Sequence, residues 1–301
     1  MRQTIKPKLK EYLQMYIYSM TSSFQTNIEP HIPWLAGFLE GDGCFGIKKQ
    51  QTKNPTQPSL RPYLSVQVVD QQLLEFIASL LETNVGTYTH PKHDTYKTVY
   101  RTALSNRDKL RWLLPKLMPF LSKRRQSKVH ELMQLLDPTF VFDSSESIFA
   151  HSILPQPKEK EKYSKDIKIL SEQELQWLTG FVEAEGHISF DRRSLIPTPG
   201  FVIQSTDQDV IAYTSLLINK NYVAENRLTT KKKQVFTLSV QDFSRISYLF
   251  PKFEMYCHGS KLPSQLMEAF DCIEKHAAWK ALPSKTRPSL WPKKHPRSPK
   301  E

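Results

Sequence analysis

Hydrophobic and polar positions follow the same order twice along this 301-residue chain. An apolar, helix-like segment at 34–43 recurs at 177–186, and six of the ten paired positions are identical. After each copy, at 44–47 and 187–190, apolar and polar residues alternate as they do in a half-buried strand. The pattern predicts two similar folding units in one chain.

The repetition continues beyond these segments. We expect a second strand at 63–67 and 200–204, followed by helices for which Asp70 and Asp207 are the N-caps. A hairpin and two helices then follow in each unit, at 85–104, 106–118 and 124–136, and at 222–240, 242–253 and 262–278. Each unit is therefore predicted to have the order helix-strand-strand-helix-strand-strand-helix-helix.

The same pattern predicts the domain boundaries. They are an N-terminal extension at 1–30, a first unit at 31–137, a linker at 138–170, a second unit at 171–281 and a basic, proline-rich tail at 282–301. Ser171 and Glu174 have capping-box spacing and open the second motif helix. The basic extension is typical of an organelle-targeting segment or of frayed chain. The tail has a composition that favours disorder.

Each motif helix ends in a carboxylate, Asp42 or Glu185. Because a helix C-terminus carries partial negative charge, an acid there costs about 0.3–1 kcal/mol. A divalent cation would reverse this effect by binding the carboxylates and the carbonyl oxygens of Gly41 and Ala184. Oxygen ligands favour Mg²⁺ or Ca²⁺ over softer metals. A solvated acid would explain one copy, but its recurrence favours a metal site.

Small residues lie four positions apart in each motif helix, and so share a helix face. They would let the two helices pack closely and bring the acids side by side. The glycine after each acid is expected to adopt the left-handed conformation of a helix end. The small residues are Gly37 and Gly41 in one helix, and Gly180 and Ala184 in the other; the terminal glycines are Gly43 and Gly186.

The chain has 42 Lys and Arg against 30 Asp and Glu, a net charge of +12. This excess favours a polyanionic partner, either nucleic acid or an anionic membrane surface. No apolar run reaches the roughly 18 residues of a membrane span. Three cysteines without paired spacing indicate reduced thiols. A zinc site at Cys257, His258, Cys272 and His276 would match no common module.

The doubled pattern of aromatic, Leu, Ala or Thr, Gly, Phe, and then two acids before a glycine resembles the LAGLIDADG homing endonucleases. The resemblance is to the double-motif, single-chain form, and covers about 31–136 and 171–278. It implies an α+β fold and a monomer. Two pseudo-twofold-related αββαββαα half-domains would pack through their motif helices, each with a curved antiparallel DNA-binding sheet.

The resemblance also implies a reaction: Mg²⁺-dependent hydrolysis of each strand of a DNA target site, leaving staggered ends. Asp42 and Glu185 would bind the metals, with Ca²⁺ expected to occupy the site without supporting cleavage. A catalytic lysine matches Lys123 in one half and Lys261 in the other. Arginines follow Lys123 directly, so this assignment is open to a shift by one position. Glu40 and Glu183 match an acid that is not the principal metal ligand.

We expect DNA contacts from the sheet faces and the strand loops, because a two-stranded ribbon fits the major groove. Most basic side chains there would hold phosphates rather than read bases. Gln67 and Gln204, at matched strand ends, are predicted to contact bases or position water. The basic candidates are Lys48, Lys49, Lys53, Arg61, Arg101, Arg192, Arg193, Arg227, Lys231, Lys232 and Lys233.

Two other functions are compatible with the sequence. One is an intron RNA maturase on the same scaffold, with the chain's own intron RNA as partner. The other is a non-catalytic basic adaptor, which would leave the paired acidic helix ends unexplained. Proteins of this kind are commonly encoded by mobile introns in chloroplasts or mitochondria, so we expect an organellar location and no membrane partner.

Overall fold

A computed structural model describes residues 23–50, 59–88, 97–150, 167–193, 195–220, 222–228 and 234–283. Its two units each contain one four-stranded antiparallel sheet with helices on one face. This is the α+β architecture that the sequence predicted. Within the described residues, no helix has the length and apolar character needed to cross a membrane.

The first unit follows the predicted order of elements and has sheet order β1-β2-β4-β3. Its elements are α1 (Ile32–Asp42), β1 (Gly43–Gln50), β2 (Ser59–Val68), α2 (Gln71–Leu81), β3 (Gly86–Tyr88), β4 (Val99–Leu104), α3 (Arg107–Leu117) and α4 (Lys123–Leu136).

The second unit repeats this order, with sheet order β5-β6-β8-β7. Its elements are α5 (Glu172–Glu185), β5 (Gly186–Asp191), β6 (Thr198–Ser205), α6 (Gln208–Ile218), β7 (Val223–Leu228), β8 (Gln234–Val240), α7 (Phe243–Tyr256) and α8 (Lys261–Ala281).

Local capping explains where several helices begin. Asp70 Oδ1 accepts a hydrogen bond from the Leu73 N–H at 3.2 Å, as predicted for the N-cap of α2. The Ser171 hydroxyl and the Glu174 carboxylate form the reciprocal capping box at the start of α5. Asp207 occupies the N-cap position of α6, but its side chain makes no capping bond there. The two matched aspartates therefore have different roles.

Alternation along the strands divides each sheet into two faces. In the first sheet, Phe45, Leu64 and Leu104 are buried beneath the helices, whereas Lys48 and Arg61 on the opposite face are exposed. Strands β1 and β2 pair from Gly43 opposite Val66 to Gln50 opposite Ser59, which keeps these polar positions on one side. The sheet thus presents a polar surface away from the core.

Two segments at predicted boundaries pack against the core. Residues 23–28, within the expected N-terminal extension, are helical, and Phe24 and Ile28 are fully buried. In the linker range, Phe149 lies 5.8 Å from Trp177 and 4.9 Å from Tyr213, measured between ring centroids. Residues 1–22, 151–166 and 284–301 lie outside the described part, and with them most of the expected extension, half of the linker and most of the tail.

Candidate active site between the two motif helices

The two motif helices, α1 and α5, pack directly against each other at the centre of the molecule. A Cβ atom at Gly37 would lie 2.0 Å from the Trp177 carbonyl oxygen, and one at Gly180 would lie 2.0 Å from that of Trp34. These approaches exclude every residue with a side chain. The small residues therefore set the distance between the helices, as the sequence predicted.

The tryptophan of each motif donates a hydrogen bond across the interface. The Trp34 indole N–H donates to Glu183 Oε2 at 2.9 Å, and that of Trp177 donates to the Phe120 carbonyl at 2.9 Å. Both indoles are almost completely buried. A polar atom on each buried ring is thereby satisfied, and the two halves are held in one register.

The glycines that end the motif helices are not left-handed, so that prediction was wrong. Gly43 has φ −80° and ψ 146°, and Gly186 has φ −81° and ψ 151°, both extended conformations. A Cβ atom at Gly43 would lie 2.5 Å from the Leu39 carbonyl oxygen, and one at Gly186 would lie 2.4 Å from that of Val182. Glycine is required here because the chain turns from helix to strand against the last helical turn.

The helix packing brings the Asp42 and Glu185 carboxylates together at the end of the interface. Both residues reach solvent, although protein atoms crowd the carboxylates. This desolvation raises the pKa of Asp42 to about 6, against the opposing effects of Lys261 and Arg125. Desolvation, and then the negative charge of Asp42, raise the pKa of Glu185. Each acid therefore lies within the electrostatic influence of the other.

Two cavities flank this pair of acids. The first, of about 290 Å³, is lined by Asp42, Gln67 and, from the second half, Ala184 and Lys261. The second, of about 500 Å³, is lined by Glu185, Gln204 and, from the first half, Gly41, Arg124 and Arg125. Each cavity combines the acid and glutamine of one half with the basic side chain of the other. We call them the Asp42 cavity and the Glu185 cavity.

The basic residues of the two cavities come from different positions. Lys261 lies in the Asp42 cavity, as expected from the resemblance. Lys123 is not among the residues that line the Glu185 cavity, and its backbone N–H donates to the Asp209 carboxylate instead. Arg124 and Arg125 line that cavity instead, and a shift by one position would make Arg124 the counterpart of Lys261.

Arg125 is a functional candidate that the sequence did not single out. Its buried guanidinium donates to the carbonyl oxygens of Glu40 at 2.9 Å, Gly41 at 3.2 Å and Gly43. This positive charge stabilises the C-terminus of α1, a role that we had assigned to a metal ion alone. The matched position in α8 is Pro263, which has no charge. No local pattern distinguished Arg125 from the two basic residues before it.

The earlier acids of the motifs hold the starts of the last helices. The buried Glu40 carboxylate accepts from the Ser122 N–H and hydroxyl, and Glu183 Oε1 accepts from the N–H groups of His258 at 3.0 Å and Gly259 at 2.9 Å. Burial raises the pKa of each glutamate to about 7, although these hydrogen bonds act to lower it. Their contacts are structural ones.

Asp70 connects the two halves and positions the Asp42 cavity. Its Oδ2 accepts from the Ser260 N–H at 2.8 Å and the Lys261 N–H at 3.0 Å, at the start of α8 in the other half. The matched Asp207 instead accepts from Arg124 Nε at 2.9 Å. Both contacts lie beside a basic residue of a cavity, and neither was visible in the sequence.

The four residues whose spacing matches no common zinc module, Cys257, His258, Cys272 and His276, all lie in the described part of the chain. Within that part, no three His, Cys, Asp or Glu side chains cluster as a metal site of such ligands needs. A metal held by Asp42 and Glu185 would therefore need backbone carbonyls, water or substrate oxygens as further ligands.

The expected DNA-contacting residues are distributed unequally. Lys48, Arg61, Gln67 and Arg101 line a groove of about 720 Å³ over the polar face of the first sheet. Lys49 is the next residue in the strand and lies on the opposite face. Arg192 and Arg193 are exposed in the turn after β5. Lys53, Lys231, Lys232, Lys233 and the side chain of Arg227 lie outside the described residues.

Comparisons with known proteins agree with this duplicated scaffold. Residues 35–128 match the family described as LAGLIDADG endonuclease. A probable intron-encoded endonuclease of Schizosaccharomyces pombe, Cox1-I1b, is 27% identical over 239 residues, which cover 76% of this chain. The matched region spans 60% of that relative's length.

Solved structures share the fold. The I-LtrWI LAGLIDADG homing endonuclease bound to target DNA matches with a TM-score of 0.54 at 17% identity, covering 84% of this chain and 92% of that one. The I-CpaMI LAGLIDADG meganuclease bound to uncleaved DNA matches with a TM-score of 0.53 at 17% identity, covering 84% and 94%. These features define a two-unit α+β protein with one carboxylate from each motif helix at its centre. Residues 35–128, most of the first unit, are thus similar to the LAGLIDADG endonuclease family.

Proposed function

We propose that this protein is a site-specific, divalent-metal-dependent endonuclease that hydrolyses both strands of a DNA target. The observation that carries this proposal is the pair of cavities beside Asp42 and Glu185, each completed by a basic side chain from the opposite half. Two equivalent centres related by a pseudo-twofold axis fit a substrate with two antiparallel strands. A binding protein would have no need of this arrangement.

The residues of the site fit a hard divalent cation such as Mg²⁺. Asp42 and Glu185 would provide carboxylate oxygens, and Ala184 a backbone carbonyl at the end of α5. The Gly41 carbonyl would have to bind the cation on its remaining lone pair, because it already accepts from the Arg125 guanidinium at 3.2 Å. Crowding by protein atoms raises the pKa of both acids. A bound cation would oppose this effect, because its positive charge favours the charged carboxylates. Bound there, the metal would activate water and stabilise the charge on the attacking and leaving oxygens.

The protein's own residues would act on the phosphate. The Lys261 ammonium in the Asp42 cavity and the Arg124 and Arg125 guanidiniums in the Glu185 cavity would hold a phosphate beside each acid. Gln67 and Gln204 line the same two cavities and would orient water or a base edge. Asp70 would fix Lys261 by holding the start of its helix.

The partner in this proposal is double-stranded DNA lying across the polar faces of both sheets. The net charge of +12 supports it, as do the basic residues that line the groove over the first sheet. Each cavity is completed within one chain, which supports a monomer. The intron-encoded description of the S. pombe relative supports an intron as the gene's location, and hence an organellar protein.

A cleavage assay tests the proposal. Purified protein is incubated with a plasmid library of randomised inserts in Mg²⁺, in Ca²⁺ and in EDTA, and the cut ends are sequenced. We expect one preferred site with staggered ends in Mg²⁺ and intact DNA in EDTA. Asp42→Asn and Glu185→Gln should abolish cutting and retain binding. Mg²⁺-independent cutting, or splicing of intron RNA by wild type without any DNA cleavage, would overturn the proposal.

A further inference from the structure

The two sheets pair their strands in the same register, so their outward faces can be compared position by position. Lys48 pairs with Arg61 in the first sheet, and Asp191 pairs with Thr198 at the equivalent place in the second. Gln67 pairs with Arg101 in the first sheet, where Gln204 pairs with Thr237. The glutamine is kept, but three basic residues are replaced by one acid and two threonines.

The centre of the second face is apolar where the first is polar. Ser65 of β2 has Val202 as its counterpart, and Tyr63 has Gly200, which is buried and has no side chain to offer to DNA. On the described positions of β5, β6 and β8 there is no Lys or Arg. The Thr237 hydroxyl accepts from Gln204 Nε2 at 3.2 Å, so it is already engaged within the sheet. Besides His187, Asp191 and Gln204, the described positions of this face offer DNA methyl groups and small hydroxyls, and the Thr198 hydroxyl lies 3.4 Å from His276 Nε2.

Ion pairing increases the contrast. Within the described residues, Lys48, Arg61 and Arg101 take part in no ion pair, whereas Arg192 pairs with Glu268 at 2.8 Å and Arg193 with Asp191. The basic groups of the first face are therefore available to DNA. Those of the β5–β6 turn would have to exchange a carboxylate for a phosphate.

These differences correspond to different base chemistry. An arginine donates two hydrogen bonds to the O6 and N7 atoms of guanine in the major groove. Apolar and threonine methyl groups instead contact the C5 methyl of thymine. Resting on the proposed function, we propose that the two half-sites are read by opposite chemistry. Arg61 and Arg101 read guanines in one half-site, and Val202 and Thr237 read thymine methyls in the other.

The same division applies to salt dependence. Each phosphate contact by Lys or Arg contributes about 0.9 to the slope of log affinity against log salt concentration. Lys48→Ala should therefore reduce this slope by about one unit for every sequence. Val202→Ala should leave the slope unchanged and weaken only sites with thymine at the contacted position.

The test is selection of bound duplexes from a randomised library, with Ca²⁺ present so that binding is measured without cutting. Wild type should select guanines in one half-site and thymines in the other. Arg61→Ala and Arg101→Ala should lose the guanine preference alone. Deoxyuridine lacks the thymine methyl, and at a contacted thymine it should weaken binding about three- to fourfold. The same change in the guanine-containing half-site should have no effect.

A gain of specificity provides the matched variant. Thr237→Arg places the first sheet's side chain at its equivalent position, and should shift the selected base there towards guanine. Circular dichroism melts check that each variant is folded. Thymine methyl dependence on the Arg61 side, or on neither side, would overturn this assignment while leaving the proposed function intact. Selection of no duplex by wild type would overturn both.

Discussion

Asp70→Ala is the substitution that most directly tests how the two halves differ at matched positions. Asp70 Oδ1 caps its own helix α2, while Oδ2 accepts from the N–H groups of Ser260 and Lys261 in the other half. Partial burial acts to raise the pKa of Asp70, but the N–H groups of Leu73, Lys261 and Ser260 together lower it. The substitution therefore removes two helix caps at once.

The magnitude follows from these bonds. Loss of an N-cap costs about 1 kcal/mol, and a hydrogen bond to a charged group contributes about 1.5–3 kcal/mol. Because this helix end is partly solvated, we expect a total loss of about 2–4 kcal/mol in the free energy of unfolding. This corresponds to a fall of about 5–10 °C in the melting temperature. Urea denaturation and thermal melts measure both values.

Asp207→Ala is the matched control. Asp207 makes no cap within its own helix, and its partner Arg124 is about half exposed. An ion pair of this kind contributes at most about 1 kcal/mol. Equal losses for Asp70→Ala and Asp207→Ala would refute our account of the two positions.

Measuring the cleavage rate of each DNA strand separately distinguishes a positioning role from a general loss of stability, which would not slow one strand alone. If Asp70 positions Lys261, its loss should slow cutting of one strand only. Asp70→Ala should then add nothing further in a Lys261→Ala background. The wild-type advantage in stability should be full above the ordinary pKa of an aspartate. It should disappear as the pH falls through the lowered pKa of Asp70.

Three further predictions concern the interface. Gly180→Ala should lower the free energy of unfolding, measured by urea denaturation, by at least about 3 kcal/mol, because the Trp34 carbonyl oxygen blocks the new Cβ atom. Gly86→Ala is the control and should cost under about 1 kcal/mol, because its Cβ atom would lie 3.6 Å from the nearest neighbouring atoms. Burial and then the positive charge of His31 lower the pKa of His258 to about 4. Its contribution to the free energy of unfolding is therefore lost as the pH falls from about 6.5 to 4, and His258→Phe should flatten that part of the melting-temperature profile. Glu183 accepts from the backbone N–H of His258, a bond that this substitution leaves in place. Arg125→Met should cost about 3 kcal/mol, while Arg124→Ala should change the free energy of unfolding by under about 1 kcal/mol.

The order of elements could be predicted because it depends on local chemistry. Apolar periodicity, capping residues such as Ser171, and the spacing of strands and turns are all properties of short segments. The proximity of Asp42 and Glu185 was also predictable. Small residues on one face of each motif helix indicate that the two helices pack closely, and the acids lie at the ends of those helices. The backbone contacts of Gly37 and Gly180 are the physical form of that signal.

The roles of Arg125, Asp70 and Asp207 could not be obtained in this way. Each depends on which residue of a distant helix lies within reach, and distances such as Asp70 to Lys261 arise only when the two halves pack together. The prediction of a left-handed conformation for Gly43 was wrong for a related reason. Glycine ends a helix either by a left-handed turn or by close approach to the last helical turn, and the sequence is the same for both.

Divergence between the halves follows from the same contacts. A duplicated chain must keep the residues that both halves need at their interface, and Gly37 is kept as Gly180 in the second half. Residues outside the interface have no such constraint. The counterpart of Arg125 in the second half is a proline, and the counterpart of Arg101 is Thr237. The acids at the helix ends therefore lie in cavities with different basic partners, below sheets with different chemistry. Under the proposed function, a target with two unlike half-sites is the substrate to which such a pair of halves is suited.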